Sequence, residues 1–411
     1  MINITEKSNC CGCSACVQRC PKQCITLKED EEGFLYPQID KNNCIECNLC
    51  EKACPLINSS EKLPPIQVLA VKNRNDEERL ASSSGGVFIA LARYVISHGG
   101  VVFGAVFDEK WEVKHTYAET IDGIRPMMGS KYLQSRIEDT FSQAEQFLKQ
   151  GRKVMFTGTP CQIAGLRKYL KNEYSNLLTV DFLCHGVPSP GVWRRYLDET
   201  IFRSTSMVAG KNTVLSLSLK FLPVITGIEF RDKTLHGWKK YSFVVRGKSA
   251  SEADQNSVLL STIHKDNPYM RGFLSNLYLR PSCYNCKCKN GVSHSDITIA
   301  DYWGIDKLMP EFDDDKGVGL VLLNTKQGEN AFFKINMISQ LSSLEDAKCR
   351  NGGFKEHITQ HPRRIFFFKE LNKGIPVAEA VERTLHVPAY KNVAIRLMNK
   401  IKRLAIRIVR K

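Results

Sequence analysis

The strongest constraint on this chain is a cysteine pattern written twice within its first 56 residues. C-x2-C-x2-C-x3-C-P is formed first by Cys10, Cys13, Cys16, Cys20 and Pro21, and again by Cys44, Cys47, Cys50, Cys54 and Pro55. A cubane of iron and sulfide needs a thiolate on each iron. Three cysteines at this spacing curl around one face of it, and the fourth ligand comes from the other copy. The spacing therefore assigns Cys10, Cys13, Cys16 and Cys54 to one 4Fe-4S cluster and Cys20, Cys44, Cys47 and Cys50 to a second. Structural zinc usually takes two CxxC pairs and would leave the third and fourth cysteine of each copy without a role. Disulfides call for an oxidising compartment, and Met1 to Asn9 carry no apolar secretory segment. Cys11 and Cys24 fall outside the pattern and read as small buried fillers.

Residues 1–57 thus read as a bacterial-type two-cluster ferredoxin domain, which leaves a much larger body to explain in a chain of 411 residues. No apolar run approaches membrane-spanning length, since Val87 to Ile96 is already broken by Arg93. Sixteen cysteines without a secretory segment point to the reducing cytoplasm. The formal charge of +15 omits the negative charge of cluster-bound thiolates, and much of the excess lies in one place: Lys391 to Lys411 hold eight Lys or Arg and no acid. A basic tail, unlike a basic groove lined with aromatics, does not suggest nucleic acid as a partner. Ala394, Leu397, Ile401, Leu404 and Ile408 recur at steps of three and four. Residues 376–411 therefore read as a basic amphipathic helix. It can lie peripherally on an anionic membrane surface or pack on protein.

Between these ends, Asn58 to Ile66 is polar and proline-punctuated and reads as a linker. Ile66 to Val71 reads as a strand, and Ser82 to Gly86 as a turn opening a helix over Val87 to Ser97. Such a turn offers backbone N–H groups to a phosphate, or is an ordinary cap. Gly99 to Phe107 reads as a strand, and Gln143 to Gln150 as the end of a helix. Lys153 to Thr157 is a buried strand running into Gly158-Thr159-Pro160-Cys161-Gln162, with proline at the start of a helix to Leu170. Leu177 to Leu183 repeats the design and ends in Cys184-His185-Gly186. Two strands thus deliver a cysteine at their C-terminal ends, where open α/β sheets place ligands. From Val214 the pattern turns to β over Leu215–Phe221, Gly227–Arg231 and Lys240–Arg246. Cys283, Cys286 and Cys288 follow, then strands over Asp296–Tyr302 and Gly317–Thr325. The expected architecture is α+β to α/β: the ferredoxin domain, then an α/β flavin-binding body over 67–375 with a β-rich insertion.

Several motifs carry a resemblance: Thr157 to Gln162, Cys184 to Ser189, Arg280 to Cys286, Ser295 to Gly304, with Ser83 to Gly86 and Gly129 to Tyr132. In this order they resemble the beta subunits of the deazaflavin-reducing (coenzyme F-420) hydrogenases and dehydrogenases, over about residues 68–370. The resemblance implies bound FAD, held by Ser83, Ser84, Gly85, Gly86, Lys131, Thr157, Gly158 and Thr159. It also implies a third 4Fe-4S cluster on Cys161, Cys184, Cys283 and Cys286, with Cys288 competing with Cys286. His185 would be a proton donor near the flavin or a turn residue, Asp301 and Trp303 belong to the site or to packing, and Cys349 is structural. The expected function is an oxidoreductase passing electrons between ferredoxin-type clusters and FAD, to or from an organic hydride acceptor. Its partner would be a redox protein or a small donor or acceptor. The alternative is a non-catalytic electron-transfer subunit of a larger redox complex. Neither substrate nor direction is written in the sequence.

Overall fold

A computed structural model describes residues 1–202, 224–248, 257–356 and 358–386. The strand expected over Leu215–Phe221 and the basic apolar-faced stretch from Lys391 onward lie outside the described residues.

The duplicated cysteine pattern is duplicated in the backbone. The helical turns α1 (Ala15–Gln18) and α2 (Leu49–Lys52) begin after the left-handed residues Ser14 (φ 60°) and Asn48 (φ 57°), which follow the second cysteine of each copy. Gly12 (φ 72°) and Glu46 (φ 51°), each just before that cysteine, repeat the positive φ. Two such turns per copy wind the chain around a centre, as ligation by closely spaced thiolates requires. Between the copies, β1 (Ile25–Glu29) and β2 (Leu35–Ile39) pair antiparallel from Ile25 opposite Ile39 to Glu29 opposite Leu35.

The body is built on β3 (Gln67–Asn73), β4 (Val101–Phe107), β5 (Val113–Ala118), β6 (Val154–Thr157) and β7 (Leu177–Phe182), then β11 (Ile297–Asp301), β12 (Gly319–Leu323) and β13 (Met337–Ser342). They form one eight-stranded sheet in the order β13-β3-β12-β11-β7-β6-β4-β5. The central four, β4, β6, β7 and β11, run parallel, and the flanking strands run antiparallel to their neighbours. Alternate residues of each strand serve opposite faces. Val102 and Met155 pack with Ile89, Leu91 and Val95 of α3 (Val87–Ser97). Val101, Phe103, Val154 and Phe156 pack with Phe141 of α4 (Thr140–Lys149) and with Ile163 and Leu166 of α5 (Pro160–Leu170).

The β-rich insertion is a separate antiparallel sheet, β8 (Val224–Asp232), β9 (Ser242–Lys248) and β10 (Ser257–Ile263), with β9 in the middle. Its apolar side meets Trp193 and Tyr196 of α6 (Pro190–Leu197). Two later helices, α7 (Arg364–Asn372) and α8 (Val377–Leu385), pack into the same core through Phe367, Leu371, Val377, Ala380 and Val381. Residues 377–385 therefore belong to the body. Of the stretch 376–411 expected as a basic amphipathic helix, these residues pack in the body, and residues 387–411 lie outside the described residues.

The segment read as a linker is laid along the body. Ile66 donates its N–H to Leu323 O (2.7 Å), Glu61 O contacts His294 Nε2 (2.7 Å), and Lys62 pairs with Glu356 (3.0 Å). The ferredoxin domain is docked as well. Cys11, Cys13, Ala15 and Ala53 share a core with Phe141, Phe156, Ile163 and Leu166. Gln18 Oε1 accepts from the N–H of Phe141 and of Ser142 (both 3.1 Å), while Arg364 grips the Glu32 carboxylate with both arms.

Candidate functional site

The C-terminal ends of β6, β7 and β11 open onto a cavity of about 470 Å³, the position that open α/β sheets reserve for ligands. Of the residues expected to hold a cofactor, Ser83 to Gly86, Lys131 and Thr157 to Thr159 all line it, as do Cys184, His185, Asp301 and Trp303.

The Ser83–Gly86 turn is held by its neighbours. A Cβ on Gly85 would stand 2.4 Å from Gly319 N and from Val71 O, so the backbone lies this close against the paired β3 and β12 only because glycine is there. Ser84 Oγ donates to Val318 O (2.9 Å), and Ser83 Oγ accepts from Ser130 N (2.6 Å). Gly86 (φ 80°) then begins α3 with no side-chain cap, leaving its first turn available to an anion. The other loop differs. Thr159 forms a capping box with Gln162, Gly158 N donates to Val180 O (3.1 Å), and Thr157 Oγ1 donates to Phe103 O (2.9 Å). These donors serve the protein itself, so this loop shapes the cavity more than it binds an anion.

Lys131 donates to Met128 O (3.0 Å) and Gly129 O (3.2 Å), and burial of its amine lowers its pKa to about 7. Burial likewise holds the nearby His115 at about 4, with Nε2 on Thr157 O (2.9 Å). His185 contacts Asn276 Oδ1 through Nε2 (2.7 Å), and Asn276 Nδ2 donates to Thr359 O, which fixes the amide's orientation. Nε2 therefore carries the proton and Nδ1 is an acceptor, and burial lowers the pKa of the ring.

The insertion contributes residues that no motif announced. Arg231 at the end of β8 grips the Asp301 carboxylate with both arms, at the end of β11, and lies over the Tyr241 ring at 4.3 Å. Trp238 donates to Asp301 Oδ1 (2.9 Å) and stacks on Trp303, with centroids 4.8 Å apart and planes 3° from parallel. Asp301 and Trp303 thus do both jobs, locking the insertion to the sheet and lining the cavity.

The thiols fall into neighbouring groups. Burial, then the charges of Cys10, Cys54 and Cys50, push Cys16 up to about 12, and Cys13 feels Cys16 and Cys54. In the body, burial and then Cys283, Cys161 and Cys286 raise Cys184, while Cys283 is pushed to about 12 by burial and by Cys161 and Cys286. Cys161 in turn feels Cys286. Each of Cys161, Cys184, Cys283 and Cys286 is therefore within electrostatic reach of the other three. Cys288 is more deeply buried and senses Cys161, Cys286 and Cys283, and also Cys54 of the ferredoxin domain. Cys11, read as a filler, is buried in one core with Cys13, and Cys161 packs against that core, so it lies where the two groups meet. Cys24 has its Sγ 3.4 Å from Cys20 Sγ. Cys349 is exposed.

Among the described residues, no three His, Cys, Asp or Glu side chains converge closely enough to hold a single metal ion. A zinc ion would draw four ligands to about 2.3 Å from one point. No described helix is long and apolar enough to cross a membrane.

Residues 9–56 match the 4Fe-4S dicluster domain, and residues 151–346 match the family described as the C terminus of the coenzyme F420 hydrogenase/dehydrogenase beta subunit. The second match contains Cys161, Cys184, His185, Cys283 and Cys286 and does not reach Ser83 to Gly86 or Lys131. No curated protein matches the chain. Among solved structures it is similar to a chain of the F420-reducing NiFe hydrogenase complex from Methanosarcina barkeri. That likeness has 16% identity and a TM-score of 0.45, and covers 77% of this chain and 91% of the other.

Proposed function

We propose that this chain, which joins a 4Fe-4S dicluster domain to a domain of the coenzyme F420 hydrogenase/dehydrogenase beta subunit family, is a flavin- and iron-sulfur-dependent oxidoreductase. Its domains would be the ferredoxin module over 1–57, the bound connector 58–66, and a body from 67 to at least 386. Cys10, Cys13, Cys16 and Cys54 would hold the cluster nearer the body, and Cys20, Cys44, Cys47 and Cys50 the outer one. The exposed Cys47 would then mark the side where a redox partner docks. Cys161, Cys184, Cys283 and Cys286 would hold a third cluster at the cavity wall. Cys286 is favoured over Cys288 because it is among the leading groups that raise Cys184, while Cys288 is 1% exposed.

The observation that carries this reading is the shared core of Cys11 and Cys13 with Cys161 packed against it, which brings the ferredoxin thiols to the body beside the cavity that Cys184 lines. FAD, when bound there, supplies the exchange between single electrons and a hydride. The protein's own part is to bind and orient it. The open first turn of α3 and Lys131 would meet its anionic groups, and Trp303, backed by the buried Trp238, would give the cavity a rigid aromatic wall. His185, with its Nε2 proton committed to Asn276, presents Nδ1 as a hydrogen-bond acceptor to the cavity; burial disfavours the imidazolium, so the ring would orient a ligand group in its neutral form. A cavity of this size inside the body favours a catalytic chain over a purely conducting one.

The test is anaerobic purification of the full chain, with iron, sulfide and flavin measured per polypeptide. The reading expects about twelve irons and one FAD. A chain carrying iron but no flavin, and inert with every small acceptor, would leave an electron-transfer subunit.

A further inference from the structure

The Arg280 side chain is fully buried, at 0% exposure, where the body meets the ferredoxin domain. Nε donates to Cys10 O (2.7 Å), Nη2 to Leu35 O (2.8 Å) and to Cys10 Sγ (3.5 Å), and Nη1 to Gln134 Oε1 (3.0 Å). Its guanidinium also lies over the Tyr36 ring at 4.3 Å. None of these partners is a carboxylate. A buried charge is retained only when something of opposite sign compensates it. The groups whose ionised forms would compensate Arg280 most are Cys10, then Tyr36, Cys11 and Cys283, and of these Cys10 is the one it hydrogen-bonds.

We infer that Arg280 is a positioning residue that sets the order of reduction potentials, making the cluster ligated by Cys10 easier to reduce than the one ligated by Cys20, Cys44, Cys47 and Cys50. This rests on the ligand assignment proposed above. Reduction adds one negative charge to a cluster, and a fixed positive charge with an N–H aimed at a ligand sulfur stabilises that charge. The outer thiols lack this neighbour: among the described hydrogen bonds the one sulfur that Arg280 donates to is Cys10 Sγ, and Cys47 is open to solvent. A single electron shared between the two clusters, lost by one and gained by the other, therefore resides on the side facing the cavity. Because Arg280 stands three residues before Cys283, the element that supplies a ligand to the body also biases the cluster docked against it.

The test is a reductive titration of the full chain followed by electron paramagnetic resonance, with Cys16→Ser and Cys47→Ser marking which signal belongs to which cluster. In the unsubstituted chain, the signal altered by Cys16→Ser should be reduced first. In Arg280→Gln that signal should move to more negative potential while the one altered by Cys47→Ser stays, and Arg280→Lys, which keeps the charge, should lie nearer the unsubstituted chain. Full iron content in Arg280→Gln with both potentials unchanged overturns the inference. If Arg280→Gln does not load iron, the order of reduction in the unsubstituted chain decides alone, and earlier reduction of the Cys47 cluster overturns it. Should Cys16→Ser and Cys47→Ser alter the same signal, the ligand assignment falls first and the inference with it.

Discussion

Gly165, in the middle of α5, faces Cys13 of the ferredoxin domain so closely that a Cβ there would stand 2.9 Å from Cys13 Sγ and 3.0 Å from its Cβ. On an exposed helix, Gly→Ala is worth about 1 kcal/mol of added stability. Here the added methyl must displace a proposed cluster ligand, and overpacking of this kind costs about 1–3 kcal/mol. Gly165→Ala is expected to lower the urea midpoint and disturb one ferredoxin cluster's spectrum while leaving the other intact. A more stable variant with both spectra unchanged would show that the contact is not made.

The four body cysteines act on one another whether or not they hold iron, so iron content decides between a ligand set and buried thiols. Cys161→Ser combined with Cys283→Ser should remove about four of about twelve irons and leave the ferredoxin domain loaded. Unchanged iron in this double variant would exclude the third cluster.

Lys131 ties flavin binding to pH. Its amine sits at about 7 in the protein against an ordinary 10.5, because burial disfavours the charged form. An anion bound beside it raises that value again, so binding above pH 7 takes up a proton. Affinity for FAD should be level below pH 7 and weaken by up to about tenfold per pH unit above it. Lys131→Met should bind more weakly and lose this dependence. The same shift acts on stability with the opposite trend. Between pH 7 and 10.5 the unfolded chain binds more protons, so this group's contribution favours folding increasingly as pH rises. Calorimetric titration in buffers of different ionisation heat would reveal the proton taken up, and its absence would remove Lys131 from the anion's neighbourhood.

Glu32 and Arg364, 16% and 8% exposed, form the ion pair that clamps the β1–β2 hairpin to α7. Removing one member of such a pair leaves the other charge buried, so Glu32→Gln should cost about 3 kcal/mol. It should also speed proteolysis of residues 58–66. A chain beginning at Ile66 should suffer more, because Phe141, Ile163 and Leu166 lose the cover of Cys11, Cys13 and Ala15. Full stability without residues 1–57 would show that the docked arrangement contributes little.

The parts legible in the sequence are those whose chemistry is local. Cubane ligation dictates its spacing within about ten residues, and the structure repeats even the left-handed turns at Ser14 and Asn48. Buried parallel strands are short apolar runs, so β6 and β7 are visible with their terminal Cys161 and Cys184. The apolar period and flanking turn place α3 at its observed limits, Val87–Ser97. Strands β5, β10 and β13 are not visible in this way, because Val113–Ala118, Ser257–Ile263 and Met337–Ser342 are edge strands whose mixed composition becomes β only against a partner. The remaining decisions belong to tertiary structure. Arg231 meeting Asp301, Arg280 meeting Cys10 and Cys11 sharing a core with Cys161 join residues 70, 270 and 150 positions apart, and no periodicity or spacing rule reaches across such distances. An isolated arginine or cysteine in sequence is a solvated charge or a small filler. Burial beside a specific thiol gives it a place in the proposed redox site, and only packing of the ferredoxin domain on the body decides that.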